Sequence, residues 1–397
     1  MSDIENKTAA EAAENTVTEA AENVGREAES AVAEGKDAEI TAAETGAGSE
    51  SVAADTTAVS ESVVADTTAV SESVTVENSG AVAEVQTAAN EQAGEEEKKE
   101  QKGFLKYFLH GVVSTYFIGI ILMYVGSMFG ALLVQIPMHA AGLLTDEHPV
   151  AVTAASYLSF IGVWGFVIGY TLLFKSDSPY LHKILGKCTK TSVMGWILGC
   201  VILAVMNLVC ILCARANGDI YMSFGSFDLI PLMFLFVTVF IQSGAEEILC
   251  RGFMYRRLER TYNPVVATIF NSLFFTLLHI GNPGVTALSL LNVFLCGVLF
   301  SLIIYYTDSM AFAMAGHAGW NFTQSIVFGL PNSGQVFPYS ILKLDAANAR
   351  DSFFYNTGFG VEGTALAVII LAIACVVIIV LGQKKVIKRP EKVSPMF

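Results

Sequence analysis

The feature that most constrains this chain is a series of about eight long apolar stretches behind an N-terminal segment of about a hundred residues. A transmembrane helix takes about 17–25 predominantly apolar residues, and the stretches have such lengths. They lie at roughly 107–136, 152–174, 192–214, 229–249, 264–280, 285–306, 310–330 and 363–382. The pattern predicts an all-α fold, a polytopic membrane helix bundle of about eight transmembrane helices.

The charge of the chain is divided between an acidic N-terminal segment and a mildly basic remainder. Residues 1–102 contain 24 acidic and 6 basic residues and no aromatic residue, whereas the remaining 295 residues contain 13 and 17. Such a segment cannot bury enough apolar surface to offset the entropy of ordering. We therefore expect residues 1–102 to be a disordered cytoplasmic tail, with an eleven-residue repeat at 50–71. Residues 103–383 would form the membrane domain, and 384–397 a basic tail.

Basic residues alternate between consecutive loops and so indicate an orientation. Clusters of lysine or arginine precede the first span and follow the second, the fourth and the last, whereas the loop after the first span has no base. The clusters contain Lys98, Lys99, Lys102 and Lys106; Lys175, Lys183, Lys187 and Lys190; Arg251, Arg256, Arg257 and Arg260; and Lys384, Lys385, Lys388, Arg389 and Lys392. Since lysine and arginine favour cytoplasmic loops, we expect a multi-pass protein of the cell membrane with both termini in the cytoplasm.

Ionisable residues inside apolar spans are costly to bury and are therefore candidates for function. Three groups stand out: Glu246 and Glu247 with Arg251, then His279, then His317 with Asn321. Glu247 and Arg251 are four residues apart and can pair on one helix face, so this pair taken alone could be structural. A single histidine in a span is also more often a packing residue than a functional one. The remaining buried amides are expected to form interhelical hydrogen bonds; they are Asn207, Gln242, Asn271, Asn292 and Gln324.

The three groups can meet at one depth in the bilayer. Glu246 lies 16 residues before Tyr262, in the turn between two spans, and His279 lies 17 after it. Both are therefore about 24 Å from that turn at 1.5 Å per residue. A carboxylate with a neutral histidine can deprotonate a water, and a second histidine with an asparagine can donate hydrogen bonds to an oxyanion. Alternatively, Glu246, His279 and His317 could bind a zinc ion. The residues alone leave this choice open.

Taken together, the three motifs resemble those of a known family. EExxxR occurs as EEILCR at 246–251, FxxxH as FTLLH at 275–279, and HxxxN as HAGWN at 317–321. In order, spacing and placement they are similar to the motifs of the CAAX protease and bacteriocin-processing family, the type II CAAX prenyl endopeptidase-like intramembrane proteases. The resemblance covers about residues 190–330, with the motifs themselves in 229–330.

The resemblance implies an intramembrane endopeptidase in which Glu246 is the general base and acts with His279 on a water. It implies that His317 and Asn321 form the oxyanion hole, and that supporting roles fall to Glu247, Arg251 and Phe275. The cofactor would be none, or a divalent metal such as Zn²⁺ bound by Glu246, His279 and His317. The expected partners are a peptide or membrane-protein substrate and membrane lipids, with no nucleic acid.

Two other classes of protein would also carry these residues. A transporter or proton relay uses buried glutamate and histidine, although it usually shows two repeated halves, which this sequence lacks. A non-catalytic membrane scaffold or bacteriocin-immunity protein would need no reactive site at all. Replacing Glu246 by glutamine would inactivate an enzyme, whereas a scaffold should tolerate so conservative a change. A transporter would instead show substrate flux without cleaved product.

Overall fold

The computed structural model describes residues 72–180 and 189–387 of the chain. The predicted tail as far as residue 71, with its repeat at 50–71, therefore lies outside the described residues. The same holds for part of the basic clusters, namely Lys183, Lys187, Lys388, Arg389 and Lys392.

The described part of the chain is mostly helical, with two short strands. Its elements in order are α1 (Glu72–Ala140), α2 (Pro149–Leu158), α3 (Ile161–Leu173), α4 (Lys190–Ala216), β1 (Met222–Phe224), α5 (Leu229–Glu247), a first π-helix (Ile248–Met254), α6 (Tyr255–Thr261), α7 (Pro264–Leu277), α8 (Ala287–Thr307), α9 (Met310–Asn321), a second π-helix (Phe322–Val327), β2 (Leu342–Leu344), a short 3₁₀ helix (Val361–Gly363) and α10 (Ala365–Gln383). This order confirms the predicted all-α membrane bundle.

Six of the eight predicted spans are long and apolar enough to cross a membrane, judged over the described residues by length and composition. They are Lys106–Ala140, Pro149–Leu173, Lys190–Ala216, Leu229–Thr261, Ala287–Thr307 and Ala365–Gln383. The predicted spans at 264–280 and 310–330 are instead the 14-residue α7 and the 12-residue α9 with its π-helical continuation. Both helices are shorter than a span: α7 is apolar but has 14 residues, and α9 has 12. These two segments also contain residues of the site described below.

Helix α1 begins at Glu72, well before the first predicted span. Residues 82–102 are rich in alanine, glutamate, glutamine and lysine, which are strong helix formers. That residues 1–102 form a disordered tail stays a prediction.

Side-chain caps fix where the helices near the site begin. Asn263 Oδ1 accepts a hydrogen bond from Val266 N at 2.9 Å, and Pro264 occupies the first turn of α7. Ser309 Oγ accepts from Phe312 N at 3.1 Å at the start of α9. Such caps satisfy backbone N–H groups that have no partner within the helix.

Helix α9 lies at the centre of the bundle and packs most extensively on α4 and then on α5. Small residues allow this close approach: a Cβ on Gly319 would lie 2.4 Å from the backbone oxygen of Cys200 in α4. All residues from Ala313 to Asn321 are buried, so the motif side chains of α9 face protein on every side.

Residues 328–364, here called the connecting segment, join the second π-helix to α10. Within it, β2 pairs antiparallel with β1, with Ser223 opposite Lys343. The buried Asp219 carboxylate accepts hydrogen bonds from Arg350 Nε at 3.0 Å and from Ser352 Oγ at 2.6 Å. Burial alone would raise the pKa of Asp219, but the hydrogen bonds from Ser352, Asn217 and Arg350 outweigh it and hold this pKa below its usual range.

Candidate active site

The predicted site residues lie at the ends and kinks of their helices. Glu246 and Glu247 are the last two residues of α5, and Arg251 is in the π-helix that follows directly. His317 and Asn321 are in α9, whose π-helical continuation begins at the next residue. π-helical turns are rare and occur frequently at functional sites.

An ion pair near one end of the bundle sets the level of the site. Arg256 in α6 pairs with Asp308, which precedes α9. Glu247 lies nine residues before Arg256, and His317 lies nine residues after Asp308. At 1.5 Å per residue, both side chains are about 13 Å from that ion pair, so the two helices bring them to the same depth.

Glu247 joins the first motif to the third. Its Oε1 accepts hydrogen bonds from Arg251 Nη1 at 3.1 Å and from His317 Nδ1 at 3.0 Å. An ionised carboxylate only accepts, so Nδ1 of His317 carries the proton. The other ring nitrogen, Nε2, lies 3.7 Å from Oε2 of Glu246. His317 therefore lies between the two glutamates.

Arg251 is fully buried and is surrounded by acceptors and aromatic rings. Besides Glu247, its guanidinium donates to the backbone oxygen of Gly297 at 3.2 Å. The guanidinium carbon lies 4.5 Å from the ring centre of Phe275 and 5.4 Å from that of Phe300. Such contacts stabilise a cation away from water. Phe300 also stacks on His317, with ring centres 5.4 Å apart.

A glutamine links Glu246 to Asn321. Gln242 Nε2 donates to Oε1 of Glu246 at 2.6 Å, and Gln242 Oε1 accepts from Asn321 Nδ2 at 3.2 Å. Asn321 Nδ2 also lies 3.2 Å from Ser243 Oγ. Gln242, expected to be an interhelical hydrogen-bonding residue, thus contacts two predicted catalytic residues. Its position one turn before Glu246 was the sequence signal for this role.

His279 lies two residues beyond α7 and faces a small cavity of about 30 Å³. Its Nδ1 donates to the backbone oxygen of Phe275 at 2.8 Å, since a carbonyl oxygen can only accept. His317 and Asn321 line the same cavity. Ser333 and Glu362 of the connecting segment also line the cavity. The sequence did not indicate them as site residues because they lie outside the three motifs.

The predicted residues thus fall into two sets. One set is joined by contacts made directly or through Gln242; it comprises Glu246, Glu247, Arg251, His317 and Asn321. His279 stands apart: it shares the cavity with His317 and Asn321, and its ring lies against that of Phe275. Within the described part of the chain, no group of three or more His, Cys, Asp or Glu side chains is arranged to hold a metal ion. The predicted ligands Glu246, His279 and His317 are therefore not arranged as a metal site.

This arrangement can be compared with known families. Residues 228–323 match the family model described as type II CAAX prenyl endopeptidase Rce1-like. Because of this similarity, residues 228–323 are called the Rce1-like segment below. All three motifs lie inside the match, which confirms the resemblance that they indicate. A comparison with curated proteins finds no match to the chain.

The Rce1-like segment covers α5 to α9 and ends two residues after Asn321. Six apolar helices together with this match indicate a multi-pass membrane protein. The connecting segment, with Ser333 and Glu362, lies outside the Rce1-like segment although it lines the same cavity.

Proposed function

We propose that this protein is an intramembrane endopeptidase that hydrolyses a peptide bond of a membrane-associated or lipidated protein. One observation carries the proposal: Glu246, a buried carboxylate, meets His317 and the Asn321 amide network about 13 Å inside the bundle, within the Rce1-like segment. Ionisable groups are costly to bury at such depth, and those that are found there mark functional sites by default.

In the proposed reaction, Glu246 is the general base. Its Oε1 is already bound to Gln242, which leaves Oε2 as the oxygen that accepts a proton from water. The hydroxide oxygen attacks the scissile carbonyl carbon, and the carbonyl electrons move to its oxygen to give a tetrahedral oxyanion. The C–N bond then breaks, and the proton held by Glu246 passes to the leaving amine. His279, across the cavity, orients the water through Nε2 because its Nδ1 is held by Phe275.

Asn321 through Nδ2 and His317 through Nε2 supply N–H donors for the oxyanion. Because Nδ1 of His317 donates to Glu247, the ring carries a proton on both nitrogens in this step. In the structure Asn321 Nδ2 donates to Gln242 and Ser243. We therefore propose that substrate binding redirects this amide towards the substrate carbonyl. Glu247 and Arg251 are supporting residues: they fix the ring of His317 but do not touch substrate.

The substrate must reach a cavity that is smaller than a peptide. About 30 Å³ suits one or two waters, so part of the wall has to move when a peptide binds. The family description makes a prenylated CAAX-type C-terminus the first substrate to test. A leader peptide of the bacteriocin type, which the motif resemblance suggests, is the second. From the basic loops we propose that both termini are cytoplasmic and that the site opens on that side.

Cleavage of a quenched lipidated CAAX-type peptide by the purified full-length protein tests this proposal. Wild type should release product, and Glu246→Gln should not, because the amide cannot take a proton from water. Glu259→Gln is the matched control, since it alters a glutamate of α6 that lies 13 residues after Glu246 and outside the three motifs. Adding a chelator distinguishes a metal-dependent reaction from one that depends on glutamate alone.

The other two classes predict different results. A transporter would move a solute across a vesicle membrane, depend on Glu246 and release no cleaved product. A scaffold or immunity protein would cleave no peptide of a broad panel and would keep its function in the Glu246→Gln variant. Either pattern would refute the peptidase proposal.

A further inference from the structure

A second buried carboxylate reaches the cavity from outside the Rce1-like segment. Glu362, in the short 3₁₀ helix before α10, is 7% exposed and lines the cavity with His279, Trp320 and Asn321. Three donors surround it. Trp320 Nε1 lies 2.8 Å from its Oε1, while Ser333 N and Ser333 Oγ lie 2.6 and 3.0 Å from its Oε2.

These hydrogen bonds join two parts of the proposed active site. Trp320 directly precedes Asn321 in α9, so the first bond holds the helix that carries the oxyanion-hole amide. On the other side, Asn282 N donates to the backbone oxygen of His279 at 3.1 Å, and Asn282 Nδ2 donates to the backbone oxygen of Ser333 at 3.0 Å. A chain of hydrogen bonds therefore runs from the backbone of His279 through Asn282, Ser333 and Glu362 to Trp320.

The surroundings of Glu362 act on its charge in opposite directions. Burial raises the pKa of Glu362 above its usual range, and the hydrogen bonds from Ser333 and Trp320 and the nearby His279 reduce this rise without cancelling it. All three hydrogen-bonding groups are donors, which is the set that a carboxylate accepts and a neutral amide cannot.

We propose that Glu362 is a positioning residue of the active site, which holds His279 and Asn321 at their working separation across the cavity. This inference rests on the proposed function. It assigns to the connecting segment a part in catalysis that the three motifs do not include.

Glu362→Gln is the sharpest test because it keeps the size of the side chain. One oxygen becomes an NH₂ group, which cannot accept a hydrogen bond, so the donors of either Ser333 or Trp320 lose their partner. We expect kcat to fall by up to about 100-fold, the loss that a displacement of about 1 Å in an active site can cause. KM should stay unchanged, since Glu362 acts on the transition state through other residues. Glu362→Asp, which keeps the charge, should restore part of kcat.

Asp219→Asn is the matched control. Asp219 is also a buried carboxylate, and it also anchors the connecting segment, through Arg350 and Ser352, but it does not line the cavity. Its variant should lower the melting temperature while leaving kcat as in wild type. Melting temperatures of both variants, measured in the same detergent, separate loss of fold from loss of positioning.

Each outcome decides the question. A fall in kcat for Glu362→Gln alone, with partial rescue by Glu362→Asp, supports the inference. An active wild type with an equally active Glu362→Gln overturns this inference and leaves the proposed function standing. Equal falls in kcat for Glu362→Gln and Asp219→Asn also overturn it, since the role is then only structural. If wild type cleaves no peptide, the proposed function fails and the inference falls with it.

Discussion

Replacing Arg251 by methionine should destabilise the protein strongly, because it leaves a buried carboxylate without its ion-pair partner. Arg251 and Glu247 are both fully buried, and the guanidinium makes hydrogen bonds to Glu247 Oε1 and to the backbone oxygen of Gly297. Removing one partner of a buried pair costs about 3–5 kcal/mol. Methionine keeps part of the contact with Phe275 and Phe300, so the expected loss comes mainly from the charge.

The size of the loss can be separated from other effects by a double-mutant cycle. Glu247→Leu alone should also cost about 3–5 kcal/mol, since it leaves Arg251 buried and unpaired. The double variant contains neither charge, and its remaining cost should be about 1–3 kcal/mol, for the partner that His317 Nδ1 loses. The sum of the two single losses should therefore exceed the loss in the double variant by at least about 3 kcal/mol.

Reversible unfolding in mixed micelles of a mild detergent and dodecyl sulfate, followed by tryptophan fluorescence, gives the four free energies. If the losses of the two single variants simply add up in the double variant, to within about 0.5 kcal/mol, the residues do not interact as described. A loss below about 1 kcal/mol for Arg251→Met would equally refute the reasoning, because it would place the guanidinium in contact with water.

Two further predictions concern stability. Gly162→Ala should lower it by about 1–3 kcal/mol, because the new Cβ would lie 2.1 Å from the backbone oxygen of Gly126 in α1, whereas Gly165→Ala in the same helix meets no atom within 4 Å and should not destabilise. Equal thermal unfolding of the two alanine variants would contradict the close contact of α1 with α3. Asp219→Asn should destabilise at pH 7 but not in strong acid: the native pKa lies below the unfolded value of 3.8, so the contribution is present above pH 3.8 and disappears as the pH falls through the native pKa. A stability difference from wild type that persists unchanged in strong acid would show that the charge of Asp219 is not responsible.

Much of the site could be predicted from the sequence because helical geometry is regular. The four-residue spacing placed Glu247 against Arg251, and the structure has that contact. The length of the α5 to α7 hairpin predicted a common depth for Glu246 and His279. Helix length sets depth, however, and not the direction in which a side chain turns. In the structure the His279 ring bonds to the backbone oxygen of Phe275 and faces the cavity. The histidine beside Glu246 is His317.

The rest was not predictable from spacing. Glu362 follows the last motif by about forty residues and lies near the end of the connecting segment, whose sequence has no helical or strand periodicity, so no pattern relates it to Trp320 or His279. The two π-helices also have no signal of their own, because an extra residue per turn leaves the sequence unmarked.

The most direct test of the central claim is peptide cleavage in heavy-oxygen water, with the products analysed by mass spectrometry. If Glu246 activates a water for attack on the scissile carbonyl, wild type places one heavy oxygen on the new C-terminus of the lipidated peptide. The Glu246→Gln variant should form no labelled product, while Glu259→Gln should form as much as wild type. Labelled product at the wild-type rate from Glu246→Gln would contradict the account, because hydrolysis would then proceed without the carboxylate to which it is assigned.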